Sequence, residues 1–231
     1  MSRADHHFVV AIDGPAASGK SSTAKLVAER LGIHHADSGA LYRAATVARL
    51  RKGDAVERWS AESVLEAAAG VTLERHGASF EVLLDGAPLK HELHETPVTG
   101  CVSFVAKMQP VRSWVNAQMR RVAREGPIVV DGRDMGTAVF PRAQLKIFLV
   151  AEAAVRARRR LLQRLGRVPG DDDIAAETAD LERRDTNDAE QTQQARDTVV
   201  IDTTRLAQED QVERIVELAT RAMESRTRSH P

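Results

Sequence analysis

The chain is short of most features that would commit it to a membrane, a disulfide scaffold or a nucleic acid. One cysteine, Cys101, stands among 231 residues, which excludes an intrachain disulfide and any cysteine-rich metal centre and makes a reducing compartment the expectation. Cys101 itself reads as a small core residue. No stretch approaches the roughly 18 apolar residues that span a bilayer, and the apolar run near the N-terminus, Phe8 to Ile12, is short and flanked by acidic and histidine residues. A cytoplasmic protein with no membrane partner is expected. Aromatic residues make up 3%, too few to supply the stacking platforms of single-strand binders. Lys and Arg number 33 against 33 Asp and Glu, so no global field draws in nucleic acid or an anionic surface, and no nucleic-acid partner is expected. His91-Glu92-Leu93-His94-Glu95 does not carry the zinc-protease spacing, whose histidines stand four apart with a glutamate beside the first. It reads as surface charge.

What the chain does have begins directly after its first apolar run. Asp13-Gly14-Pro15-Ala16-Ala17-Ser18-Gly19-Lys20-Ser21-Ser22 matches the pattern G-x-x-x-x-G-K-[ST] of a nucleoside triphosphate site. Gly14 and Gly19 permit a tight loop whose N–H groups face the phosphates, Lys20 adds a cation, and the Ser21 hydroxyl is a ligand for Mg²⁺. Ala24, Val27, Ala28 and Leu31 then recur at helical spacing before Gly32, so the loop is expected between a strand and the positive end of a helix.

At 231 residues the chain suits one core with inserted subdomains. Phe8–Ile12, Ile128–Val130, Leu145–Val150, Thr198–Ile201 and a weaker segment, Ile33–Ala36, read as buried strands. Helical patterns separate or follow them, including Val111, Val115, Met119 and Val122 behind Pro110. The alternation predicts an α/β fold: a doubly wound parallel sheet of about five strands with helices on both faces. Two segments break it. Val71–Leu73, Ser79–Leu84 and Ala87–Leu89, joined at His76-Gly77 and Asp85-Gly86, predict a small antiparallel meander. Arg156, Arg158, Arg159, Arg160, Arg164 and Arg167, leading into Pro169-Gly170 and three aspartates, read as a hinge-flanked basic hairpin that covers phosphates. An ordinary solvated helix face is the alternative for any one of these arginines.

The strand Ile128–Val130 delivers Asp131, and Gly132 turns the backbone at once so that Arg133 and Asp134 enter the same crevice. Asp131 is the expected holder of Mg²⁺ through water; a charged turn after a core strand is the plainer alternative. Phosphoryl transfer needs cations to gather charge, and Lys20, Arg43, Arg133, the arginines from Arg156 to Arg167 and Arg184 are the candidates. An acceptor that is itself a phosphate needs no general base, only positioning and neutralisation.

Three motifs together carry a resemblance: Gly14 to Lys20, Asp37-Ser38-Gly39-Ala40-Leu41-Tyr42-Arg43, and Asp131-Gly132-Arg133-Asp134-Met135-Gly136-Thr137. They resemble the bacterial cytidylate kinases, P-loop nucleoside monophosphate kinases, over essentially the whole chain. The resemblance implies one kinase domain over 1–231, an inserted monophosphate-binding subdomain over 38–103 that holds the meander, and a short arginine lid over 156–173. It implies transfer from ATP to CMP or dCMP with Mg²⁺ by a monomer, with ATP on Gly14, Pro15, Ala16, Ala17, Ser18, Gly19, Lys20, Ser21 and Ser22. Lys20, Arg133, Arg156, Arg159 and Arg160 would be catalytic, and Ser21 and Asp131 would hold the metal. Ser38 and Arg43 would hold the acceptor phosphate, with Arg133 bridging it to the transferred group. Ser103, Arg112 and Asp134 would recognise cytosine, and Arg184 and Asp188 the sugar. A carboxylate such as Asp134 accepts from the exocyclic amino group of cytosine, whereas uracil presents a carbonyl there.

The family pattern usually has arginine three residues after Asp188, and this chain has Gln191, which would weaken the grip on CMP or share it with Arg183 or Arg196. Ala17 and Ser21 also replace glycines found in other members. A UMP or AMP kinase of the same fold is the near alternative. A switch GTPase, the distant one, would need N-K-x-D, and neither Asn116 nor Asn187 begins it.

Overall fold

The computed structural model describes residues 7–228. In chain order its elements are β1 (Val9–Asp13), α1 (Lys20–Leu31), β2 (His34–Asp37), α2 (Ser38–Leu50), α3 (Ala61–Ala67), β3 (Val71–His76), β4 (Ser79–Leu84), β5 (Ala87–Pro88), α4 (Thr96–Ala106), α5 (Gln109–Val122), β6 (Ile128–Gly132), β7 (Leu145–Val150), α6 (Ala153–Leu165), α7 (Asp171–Asp188), β8 (Val199–Asp202) and α8 (Gln208–Arg228). A single π turn, Met135–Val139, follows β6. The elements divide into two compact units, one of Phe8–Gly32 with the chain from Val129 onward and the other of Ile33–Ile128.

In the first unit the strands run in the order β6-β1-β7-β8, with β1 parallel to β7 and β7 parallel to β8. Every residue of β1 and β6 is buried, the near-continuous apolar reading of a sheet covered on both faces. Ile12, Ile147, Leu149 and Ile201 are essentially inaccessible, each contributing about 1.5–3 kcal/mol by burial. Helices α1 and α8 pack on one another, and the buried Thr23 hydroxyl donates to Gln211 Oε1 at 3.3 Å. Gly32, at φ 65°, stops α1 by returning its N–H to the carbonyls of Ala28 and Glu29.

The arginine-rich stretch is more regular than its sequence suggests. Arg156 to Leu165 completes α6, and Gly166 at φ 66° is its left-handed C-cap. Asp171-Asp172-Asp173 form the first turn of α7, where negative charge favours the helix dipole. The residues read as hinges are therefore a helix stop and a helix start, and only 166–170 remain as a connecting loop.

In the second unit the meander is as the turn residues predict. β3 and β4 pair antiparallel from Val71 opposite Leu84 to His76 opposite Ser79, and β5 pairs with β4. Asp85 and Gly86 both have positive φ, 51° and 79°, which is the demand of a two-residue hairpin turn of the primed type. β2 pairs parallel with β4 through His35 and Ser79. Val111, Val115, Met119 and Val122 form the buried stripe of α5. The segment 38–103 lies inside this unit, whose compactness also takes in α5.

Among the described residues no helix is long and apolar enough to cross a membrane. The tightest backbone approach is at Gly14, where φ is +151° and a Cβ would stand 2.3 Å from the Leu149 carbonyl oxygen. Gly14→Ala is expected to lower stability by about 2–3 kcal/mol, read as a shift of the urea midpoint. An unchanged midpoint would show that the loop can move away from β7.

Candidate active site

The phosphate-binding loop is built between β1 and α1. Gly19 takes φ 85° at the N-terminus of α1, and Lys20, the first helical residue, is buried. Its Nζ donates to the Pro15 carbonyl at 2.7 Å and lies 3.5 Å from Ser18 Oγ. Ala17 is held at φ 57°, a conformation that costs an L-residue about 1–2 kcal/mol. Ala16 joins Ala157 and Leu181 in a small buried cluster, with Ala17 and Ile174 packed against it.

In the first turn of α1, the Ser21 hydroxyl donates to Asp131 Oδ2 at 2.6 Å. A hydroxyl and a buried carboxylate at the positive end of a helix form the hard-oxygen donor set that Mg²⁺ takes from a protein when phosphate oxygens and water supply the rest. These two residues fit the ion.

The turn after β6 is fixed by a residue that the motif reading passed over. Asp13 accepts the N–H of Met135 at 2.8 Å on Oδ1 and that of Gly136 at 2.7 Å on Oδ2. The Asp134 carbonyl accepts from Ala138 N–H at 2.8 Å, and Phe140 N–H closes the π turn onto Met135 at 2.7 Å. Arg133 and Asp134 stand at the head of this turn. Asp134 is buried. Arg133 Nε lies 3.6 Å from Asp188 Oδ2, and this buried nitrogen makes no hydrogen bond among the described residues, which leaves the guanidinium suited to a further anion. Burial pushes the Asp13 carboxyl up from 3.8 to about 6 and the Asp134 charge adds to the rise, against the pull of the Gly136 and Met135 N–H groups and of Lys20.

Four arginines of α6 are engaged within their own unit. Arg156 donates from Nε to Ala151 O at 3.0 Å and from Nη1 to Ala16 O at 2.8 Å, and its Nη2 pairs with Asp185 at 2.7 Å. Arg159 donates to the Thr203 carbonyl at 2.6 Å and to the Thr203 hydroxyl at 3.2 Å. Arg160 and Arg164 share buried Glu177 at 3.1 and 3.3 Å. Asp185 and Glu177, like Asp13, were not singled out by sequence. At the end of α7 the Asp188 carbonyl accepts the N–H groups of Gln191 and Thr192 at 3.0 and 2.9 Å and the Thr192 hydroxyl at 2.8 Å, which sets the place of Asp188.

Ser38, Arg43, Ser103 and Arg112 belong to the other unit. Asp37 caps α2 by accepting the Gly39 N–H at 2.7 Å, so Ser38 is buried in the first turn and Arg43 half-buried in the next. Ser103 lies on α4 and Arg112 on α5, where Arg112 Nη1 donates to the Ala106 carbonyl at 3.2 Å. Helices α2, α4 and α5 pack on one another, so these four residues share one helical cluster. Arg133, Asp134, Arg184 and Asp188 lie in the phosphate-loop unit.

A family model described as cytidylate kinase matches residues 10–221. The chain belongs to the cytidylate kinase family. It is 41% identical over 216 residues to a cytidylate kinase of Rhodococcus opacus (strain B4), covering 90% of this chain and 93% of that one. A cytidylate kinase of Chlorobaculum tepidum is 37% identical over 227 residues, with 95% and 96% covered. A solved gluconokinase from Sinorhizobium meliloti 1021 shares the fold, with a TM-score of 0.50 at 16% identity over 98% of this chain and 99% of its own. This cytidylate kinase family member thus shares its α/β architecture with that gluconokinase.

Because the folded pKa of Asp13 is raised, the stability it contributes is full below about pH 4 and is lost as pH rises through about 6. Relative to Asp13→Asn, which does not titrate, the parent chain is expected to lose about 2 kcal/mol between pH 4 and pH 7. Urea unfolding across that range checks it; parallel stability curves would mean that the carboxylate is not desolvated.

Proposed function

We propose that this chain transfers the γ-phosphoryl group of ATP to the phosphate of CMP or dCMP, as a monomeric cytoplasmic enzyme with Mg²⁺. The observation that carries the reading is the juxtaposition of the phosphate loop with the Asp131–Thr137 segment through the Ser21–Asp131 contact at 2.6 Å. Family membership supplies the acceptor.

In this reading the backbone of 14–20 cradles the ATP phosphates and Lys20 turns its ammonium from the loop carbonyl to the β- and γ-phosphates. Ser21 and, through water, Asp131 would hold Mg²⁺, which would supply positive charge to neutralise the phosphates. Arg133, tethered loosely by Asp188, shares its positive charge between the acceptor phosphate and the moving group. Ser38 and Arg43 hold the acceptor phosphate, Ser103, Arg112 and Asp134 recognise cytosine, and Arg184 and Asp188 the sugar. Arg159 and Arg160 add positive charge once released from Thr203 and Glu177. The acceptor oxygen is already anionic, so the transferred group passes from one phosphate oxygen to another without a general base. At position 191 a neutral amide stands where the family usually has a cation, leaving Arg184 as the cation of that motif.

An ADP-release assay with ATP, Mg²⁺ and CMP, dCMP, UMP, AMP or GMP tests this. Selective turnover of CMP and dCMP is expected. Preference for another monophosphate would overturn the base assignment while keeping the chemistry, and ATP hydrolysis indifferent to acceptor would point to a switch protein. Lys20→Ala is expected to lower kcat by at least about a hundredfold with an unchanged circular dichroism spectrum; turnover near the parent level would remove Lys20 from the site. Asp134→Ala is expected to narrow the CMP over UMP preference about tenfold, and an unaltered ratio would exclude it from base recognition.

A further inference from the structure

Asp185 has no part in the reaction as just described, yet it touches the phosphate loop directly. Its Oδ1 accepts the Ala16 N–H at 3.2 Å, and its Oδ2 lies 2.7 Å from Arg156 Nη2. Arg156 closes the ring by donating to the Ala16 carbonyl at 2.8 Å. The N–H and the carbonyl of one loop residue are thus each bound by one half of a single ion pair. The Arg156 side chain is only 6% exposed and that of Asp185 26%. Removing one partner of a pair so enclosed leaves the other charge desolvated. Ala157 and Leu181 pack against Ala16, so α6 and α7 grip the same loop residue by apolar and ionic contact together. The next residue, Ala17, holds the left-handed φ of 57°, which persists only where the surroundings enforce it.

We infer that Asp185 is a positioning residue for the phosphates of ATP: acting through Ala16 and Arg156, it fixes the loop in the conformation that presents its N–H groups to them. In this arrangement Arg156 is part of the brace, since three of its nitrogens are already committed to Ala151, Ala16 and Asp185. Asp185 also stands on α7 between Arg184 and Asp188, so the helix that carries sugar recognition in the proposed function is the one that braces the donor loop. The inference rests on the reading of residues 14–22 as the ATP site.

The test uses the full chain with Asp185→Ala, Asp185→Asn and Arg156→Ala, singly and with the two alanines combined. ATP affinity is measured by calorimetry with Mg²⁺ and without acceptor, beside kcat and the KM values for ATP and CMP. Asp185→Ala is expected to weaken ATP binding about tenfold, with a smaller rise in the KM for CMP. Asp185→Asn keeps an oxygen for the Ala16 N–H but no charge for Arg156, and falls between. The double variant is expected to bind ATP no more weakly than the worse single one, because the pair acts as a unit. A lower melting temperature and active fraction with parent-like ATP affinity would reduce Asp185 to a structural role and overturn the inference, as would a rise confined to the KM for CMP. Should Asp185→Ala not fold, Asp185→Asn decides by the same affinity measurement. A parent chain that binds ATP but ignores CMP would refute the proposed acceptor and leave this comparison intact.

Discussion

The phosphate-loop unit depends on how closely its backbone passes itself at the carboxyl end of β1. Gly14 runs against the Leu149 carbonyl of β7, with no room for a side chain. From that point the chain can turn back tightly enough for Lys20 to open α1 and for Ser21 to meet Asp131. Parallel packing of β1 on β7 sets the approach, and the apolar identity of both strands sets the packing. The chemistry is thus held by core burial one residue away from it. Asp13 continues the same logic on the other side, carrying the end of β1 to the π turn after β6.

A formal charge of zero conceals a strongly partitioned electrostatic arrangement. In this unit four of the arginines that the sequence brings forward are matched locally by carboxylates: Arg156 with Asp185, Arg160 and Arg164 with Glu177, Arg133 with Asp188. Such pairs contribute little net stability where they are exposed and demand complete hydrogen bonding where they are buried. In the proposed function their value is that positive charge is kept in place and ready to be shared with a polyanion. Arg133 is the loosest of them, at 3.6 Å from its partner.

Much of this was legible in the sequence, for identifiable reasons. Apolar runs marked the core strands, displaced by about one residue at β1, β2 and β8; at β1 and β6 burial of every residue leaves no alternation to misread. Asp85-Gly86 announced its turn because few other residues accept two positive φ values in succession. The GKS loop and the Asp131–Thr137 segment carry their chemistry in local spacing. The two helices α6 and α7 were not legible in the arginine segment because Gly166 and Pro169-Gly170 look alike whether they punctuate a loop or delimit two helices. Asp13 and Asp185 were passed over for a deeper reason. Their partners lie 122 and 169 residues away in sequence, and no local pattern encodes a contact made only by the closed fold.

Lys20 shows what such a fold prepares in advance. Its ammonium is already withdrawn from bulk water and lodged on the Pro15 carbonyl at 2.7 Å. A free lysine side chain surrenders up to about 2 kcal/mol of rotameric freedom when it is immobilised. Here much of that loss falls when the chain folds, as does part of the loss of hydration, so in the proposed function an arriving phosphate would exchange one oxygen partner for another on a stem already in position. On that proposal the loop carbonyl is an internal placeholder for the substrate, and the entropic barrier to engaging the phosphates is lowered before any nucleotide is present.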